Sequence, residues 1–145
     1  MNKLKPVILA GLIILTGCSV NRPDLGVHNA RLLPCPETPN CVNSQSTDKE
    51  HYIKPLYFSG TKQEAKEHLL QILESEKRTK ILIVQQNYIL AEFTSFLFRF
   101  VDDVEFYFPE EHTGKTILHI RSASRTGYSD FGVNRKRIEK IRSQF

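Results

Sequence analysis

The pattern of apolar and polar positions changes period along the chain, and each change predicts an element. Tyr52 to Phe58 alternates and stops at Gly60, as a short strand bounded by a turn residue does. Thr61-Lys62-Gln63-Glu64 then reads as a capping box, in which the threonine oxygen takes the Glu64 amide and the glutamate reaches back. Ala65, Leu69, Ile72 and Leu73 follow on one stripe, opposite Lys66, Glu67 and Glu74, and predict an amphipathic helix. From Lys80 the period becomes two. Ile81 to Val84 forms a strand, Gln86-Asn87 a turn, and Tyr88 to Thr94 the return strand. Phe96, Phe98, Phe100, Val104, Phe106 and Phe108 share one parity, which predicts a long strand with its aromatic volume on one face, interrupted by Asp102. A turn around Thr113-Gly114 leads to a strand from Thr116 to Ser124. Phe131, Asn134, Ile138, Ile141 and Phe145 recur at helical spacing, with Asp130 as N-cap. The expected fold is a single α+β domain, an antiparallel sheet of four to five strands with two helices.

The N-terminus follows a different logic. Lys3 and Lys5 precede the apolar run Pro6 to Leu15, which is shorter than the ~20 residues a membrane-spanning helix needs. A removable export signal fits this pattern better than a transmembrane helix. Leu15-Thr16-Gly17-Cys18 resembles the lipobox of bacterial lipoproteins, which implies a signal peptide over 1–17 and acylation of Cys18, with acyl chains such as palmitate holding the chain at a membrane. Ser19 resembles the outer-membrane sorting signal, so the expected location is the cell envelope, facing the periplasm. Residues 18–32 are polar and aperiodic and read as a lipidated tether, leaving 33–145 for the domain.

Leu33-Pro34-Cys35-Pro36-Glu37-Thr38-Pro39-Asn40-Cys41 is too rich in proline for helix or central strand. Once exported, Cys35 and Cys41 face an oxidising compartment, and a disulfide is the expected outcome. Metal ligation and a redox pair are the competing uses. The spacing matches neither the C-x-x-C of thioredoxin-like sites nor a zinc knuckle with its second pair.

Composition adds little beyond size. A chain of 145 residues, 40% hydrophobic and 25% charged, has room for one domain. Removing Lys3 and Lys5 lowers the formal charge from +4 to +2, so overall basicity says nothing of nucleic acid. The remaining basicity is local: Arg121, Arg125, Arg135, Lys136, Arg137, Lys140 and Arg142 stand against Asp130 and Glu139. Export and the lack of aromatics interleaved with these cations exclude nucleic acid as the expected partner.

Two clusters can carry chemistry. Arg99, Asp102, Asp103 and Glu105 crowd an apolar strand, where they can hold a cation or serve as an acid and base pair. In a regular strand Asp102 and Asp103 point to opposite faces, however, and pairing with arginines of the neighbouring strand is the simpler use. Arg121, Ser122, Ser124 and Arg125, followed by Gly127, Tyr128, Asp130 and Arg135, can cradle an anion at a helix N-terminus. Asp130 opposes an anion at that end, which keeps structural ion pairing open. His28, His51, His68, His112 and His119 show no metal spacing, no serine stands in a G-x-S-x-G elbow, and neither cofactor nor metal is implied.

Pro39-Asn40-Cys41-Val42, the stretch Phe98 to Phe106, and Arg121-Ser122-Ala123-Ser124-Arg125 through Gly127-Tyr128-Ser129-Asp130 to Gly132-Val133-Asn134-Arg135 together resemble the bacterial family called domain of unknown function 1499. The resemblance covers Leu33 to about Arg142, with Asn43 where that family has a serine. It implies an exported α+β domain and no established activity. The expectation is a binding module for an anionic small molecule, lipid headgroup or envelope protein. The alternatives are a hydrolase or transferase using Asp102, Asp103 or Glu105 with His119 and a metal, and an envelope scaffold held by its charge network.

Overall fold

The computed structural model describes residues 24–110 and 115–145. Cys18, the lipobox and the turn at Thr113-Gly114 lie outside the described residues. In chain order the elements are β1 (Val27–His28), β2 (Arg31–Leu32), β3 (Cys41–Asn43), β4 (Leu56–Phe58), α1 (Lys62–Ser75), β5 (Thr79–Val84), β6 (Tyr88–Thr94), β7 (Val101–Tyr107), β8 (Thr116–Ser124) and α2 (Val133–Gln144). The main sheet has six strands in the order β3-β8-β7-β6-β5, with β4 pairing the first residues of β8, while β1 and β2 form a separate hairpin. All strand pairs are antiparallel. The sheet therefore exceeds the expected four to five strands. The added strand is β3, whose three residues are too few for an alternation to register, while the strand expected over Tyr52 to Phe58 is shortened to β4.

The local signals of the central elements are realised. The capping box at α1 is complete: Glu64 N–H donates to Thr61 Oγ1 (3.2 Å) and Thr61 N–H to Glu64 Oε2 (2.8 Å). Ala65, Leu69, Ile72 and Leu73 are its buried stripe. With Ile138 and Ile141 of α2 they pack on one face of the sheet, against Val42, Ile89, Ala91, Phe93, Val104, Phe106, Leu118 and Ile120. α2 differs from expectation at its start. Its N-cap is Gly132, in the left-handed region at φ 76°, where glycine meets no Cβ penalty. Asp130 acts from two residues earlier, its Oδ1 accepting Gly132 N–H (2.9 Å) and its Oδ2 accepting Asn134 N–H (2.7 Å). Phe131 leaves the expected stripe and is exposed, while Asn134, Ile138 and Ile141 are buried as the spacing predicts.

Two departures shape the functional surface. The expected long aromatic strand is divided: Ser95 to Phe100 is a loop, closed by Ser95 N–H to Phe100 O (2.8 Å) and Phe100 N–H to Ser95 Oγ (2.8 Å), with Arg99 left-handed at φ 57°. Phe96, Phe98 and Phe100 are consequently exposed, and the core parity begins at Asp102 and continues through Val104, Phe106 and Phe108. The second departure concerns the end of the segment expected to be tether. Leu25, Val27 and Leu32 pack on the other face of the sheet, against Tyr88, Leu90 and Tyr107. Asn29 and Ala30 both have positive φ in the two-residue turn between β1 and β2, a geometry that suits the twist of the flanking strands. The sheet is thus covered on both faces, and Asp102 to Tyr107 are all buried.

Cys35 and Cys41 form a disulfide, which ties the proline-rich loop to β3. Closing a loop of sequence separation 6 contributes roughly 2 kcal/mol in the chain-entropy model. Cys35→Ser is expected to lower the unfolding free energy by about that amount, and wild type in dithiothreitol should match it. Equal urea midpoints in oxidised and reduced protein would contradict this.

Candidate functional site

The site is set by the register of two strands. Glu105 stands opposite Arg121, and Asp103 opposite Ala123, on one face of the β7–β8 pair. Asp102 stands opposite Ser124, and Val104 opposite Ser122, on the other face. The acidic run of β7 is therefore split between two networks, as strand alternation requires.

On the face covered by α2, Asp102 Oδ2 accepts from Arg137 Nη2 (2.5 Å), whose guanidinium also lies 4.8 Å from the Phe93 ring centroid. Asn134, fully buried, joins this network to the chain around it. Its Nδ2 donates to Asn40 O (3.0 Å) and Ser124 Oγ (3.0 Å), and its Oδ1 accepts from Ser122 Oγ (2.5 Å) and Arg137 Nη1 (2.6 Å).

On the opposite face, Glu105 is fully buried and accepts three bonds: from Gly26 N–H (3.0 Å), Tyr88 Oη–H (2.9 Å) and Arg121 Nη1 (3.1 Å). Burial pushes its carboxyl above the ordinary range, and Arg121, Tyr88 and the Gly26 amide pull it back. Burial likewise pushes the Tyr88 phenol up, with the Glu105 charge adding to the effect. Arg125 holds Asp103 in a two-point fork, Nε to Oδ2 (2.8 Å) and Nη2 to Oδ1 (2.6 Å), and its Nη2 also donates to Glu92. The bonds to Asp103, foremost, hold its guanidinium still more firmly protonated.

Arg121 is different. It is 6% exposed, and its Nε has no hydrogen-bond partner among the described residues. A buried donor left unmade costs about 1–3 kcal/mol. Arg121 lines a partly open cavity of about 400 Å³ with Asp103, Ala123, Ser124 and Arg125, walled by Pro34, Cys35 and Pro36 of the disulfide loop. A larger hollow of about 470 Å³ lies beside that loop, where Arg31 and His51 are already bonded to Gln45 O, Asp48 and Thr38 O. The smaller cavity is lined by the residue that carries the unfilled donor, and is the better site.

Asp103, Glu105, Arg121 and Arg125 are thus brought together, while Asp102, Ser122 and Ser124 bond on the helix side. The rest of the sequence-predicted set lies elsewhere. Arg99 is exposed on the β6–β7 loop and Tyr128 on the β8–α2 loop. Arg135 clamps the preceding loop through Tyr52 O (2.8 Å) and Glu50 O (2.8 Å), and Asp130 serves α2. His119 stacks on Tyr107, with Nδ1 3.2 Å from Ser44 Oγ, and its pKa is lowered by burial and by Arg31. Among the described residues no group of three His, Cys, Asp or Glu is placed to hold a metal.

Sequence reasoning missed Glu92, Tyr88, Gly26 and Asn134 as members of these networks. Glu92 carried a usable signal, an acid within the apolar strand Tyr88 to Phe93. Gly26 carried none, because its part is a backbone amide. A family model described as protein of unknown function (DUF1499) matches residues 31–145. No curated protein and no solved structure matches the chain.

Proposed function

Because the chain belongs to the DUF1499 family, proteins of unknown function, we propose its role from its own residues: a binding module of the bacterial envelope whose ligand presents an anionic oxygen to Arg121. Leu15-Thr16-Gly17-Cys18 supports acylation at Cys18 and a position facing the periplasm, with Ser19 favouring the outer membrane. The unpartnered, buried Nε of Arg121, a residue that lines the 400 Å³ cavity, carries the binding proposal. A carboxylate or phosphate oxygen there satisfies the orphaned donor.

The charge balance refines the ligand. Asp103, Glu105 and Glu92 set three formal negative charges against Arg121 and Arg125. A multiply charged anion is disfavoured in so acidic a setting, and a single anionic group is favoured when Glu105 takes up a proton. Glu105 is the group already pushed upward by burial. Binding is therefore expected to tighten as pH falls toward the Glu105 value and to weaken above it.

The test is titration of the oxidised full chain with acetate and with inorganic phosphate, following the Arg121 Nε–H resonance. A saturable shift, stronger at lower pH, is the expected result, with accompanying shifts of the Ala123 and Ser124 backbone amides that disappear in Arg121→Lys. An Nε–H signal indifferent to both anions would overturn the reading. It would leave the scaffold alternative, which the saturated pairing of Arg125 with Asp103 and Glu92 favours.

A further inference from the structure

The large hydrophobic side chains more than two-thirds exposed among the described residues are Phe96 (76%), Leu97 (73%), Phe98 (68%), Tyr128 (73%) and Phe131 (88%). All of them belong to two loops at one end of the sheet. The β6–β7 loop leaves from the pair Thr94–Val101, and the β8–α2 loop begins where Arg125 N–H donates to Val101 O (3.1 Å). Isolated exposed apolar residues are ordinary, but a grouping of this kind marks an interaction site.

Basic side chains at this end stand without a carboxylate partner among the described residues. Arg78 donates to Thr94 O (3.2 Å) and lies 5.4 Å from the Phe96 ring centroid, Lys77 precedes it, and Arg99 sits within the aromatic run. Lys77, Arg78 and Arg99 have no ion pair among the described residues. The acids of the same end are engaged: Asp102 with Arg137, Asp103 and Glu92 with Arg125, Glu76 with Lys140, and Asp130 with the backbone of α2. The β6–β7 loop is built to hold its shape, closed across Ser95 and Phe100 and with Phe98 stacked on Phe100 at 5.6 Å.

We propose that this end of the domain docks on an anionic phospholipid surface, with Phe96, Leu97, Phe98 and Phe131 entering the interface and Lys77, Arg78 and Arg99 at the headgroups. Aromatic side chains beside cations suit an interface that is apolar below and negative above. The chain length agrees. The six residue steps from Cys18 to Asp24 reach at most ~20 Å, and Gly26 is pinned to Glu105, about 13 Å along β7 from Val101. This last point rests on the acylation proposed above, whereas the aromatic and charge pattern does not.

The chain contains no tryptophan, so Phe98→Trp supplies a single reporter. The full chain carrying Cys18→Ser and Phe98→Trp is mixed with phosphatidylcholine vesicles, with or without phosphatidylglycerol. Expected are a blue shift of emission and quenching by brominated lipid, on the anionic vesicles only, weakened by salt. Adding Phe96→Ser and Phe131→Ser should reduce partitioning about tenfold or more. Emission that stays unshifted while the protein sediments with the vesicles overturns the proposal, since residues 1–17 would then be doing the binding. A shift that grows with protein concentration in the absence of vesicles also overturns it, in favour of a second copy. Because Cys18 is replaced, failure of acylation does not affect the readout.

Discussion

Glu105→Ala is expected to lower the unfolding free energy by about 3–5 kcal/mol, the cost of leaving one member of a buried ion pair alone. Arg121 would keep its charge at 6% exposure without a counterion, and Tyr88 Oη and Gly26 N–H would lose their acceptor. Glu105→Leu combined with Arg121→Met is expected to recover much of the loss, because a well-packed apolar pair avoids the desolvation of both ions. Urea unfolding of wild type, Glu105→Leu, Arg121→Met and the double variant measures the coupling. A loss under about 1 kcal/mol for Glu105→Ala would show that water screens the pair.

The same residue sets a pH signature. The folded carboxyl holds its proton above the ordinary 4.5, so protonated Glu105 favours the folded state at low pH. That contribution is lost as pH rises from 4.5 through the raised folded value. Stability of wild type relative to Glu105→Gln should therefore fall over this window and then level off. A flat difference would mean that the three donors to Glu105 fully offset its burial.

Asn134→Ala is expected to cost about 3 kcal/mol, through orphaned polar partners more than through lost volume. The amide is fully buried and bonds Asn40 O, Ser122, Ser124 and Arg137, so its removal strands a backbone carbonyl and hydroxyls between β3, β8 and α2. Asn134→Leu should be no better, since the pocket is lined by groups that leucine cannot satisfy. Thermal unfolding of both variants, with Ile138→Val as a volume control, separates the two causes. If leucine restored stability, the site would be one of packing and the network incidental.

The elements that could be read from the chain were those whose signal is local. The capping box at Thr61 and Glu64 involves residues in the same turn, and Tyr88–Thr94 and Thr116–Ser124 carry enough residues to show a strand. The opposite orientation of Asp102 and Asp103 followed from strand alternation alone. The run Phe96 to Phe100 misled because a loop of alternating aromatics has the same pattern as a strand. What ended the strand pairing there was the Ser95–Phe100 closure and the left-handed Arg99.

By itself the sequence determined the class of fold, the helix starting after Thr61 and the central strands, since each depends on neighbours in the chain, and it made the pairing of Cys35 with Cys41 the expected use of two thiols in a short loop. Tertiary structure alone decided which arginine meets which carboxylate, that residues 25–32 close the second face of the sheet, and which groups the buried Asn134 amide bonds. Those outcomes depend on register between strands far apart in sequence, on backbone amides that have no side-chain signature, and on which donor is left without a partner once all the others have been used.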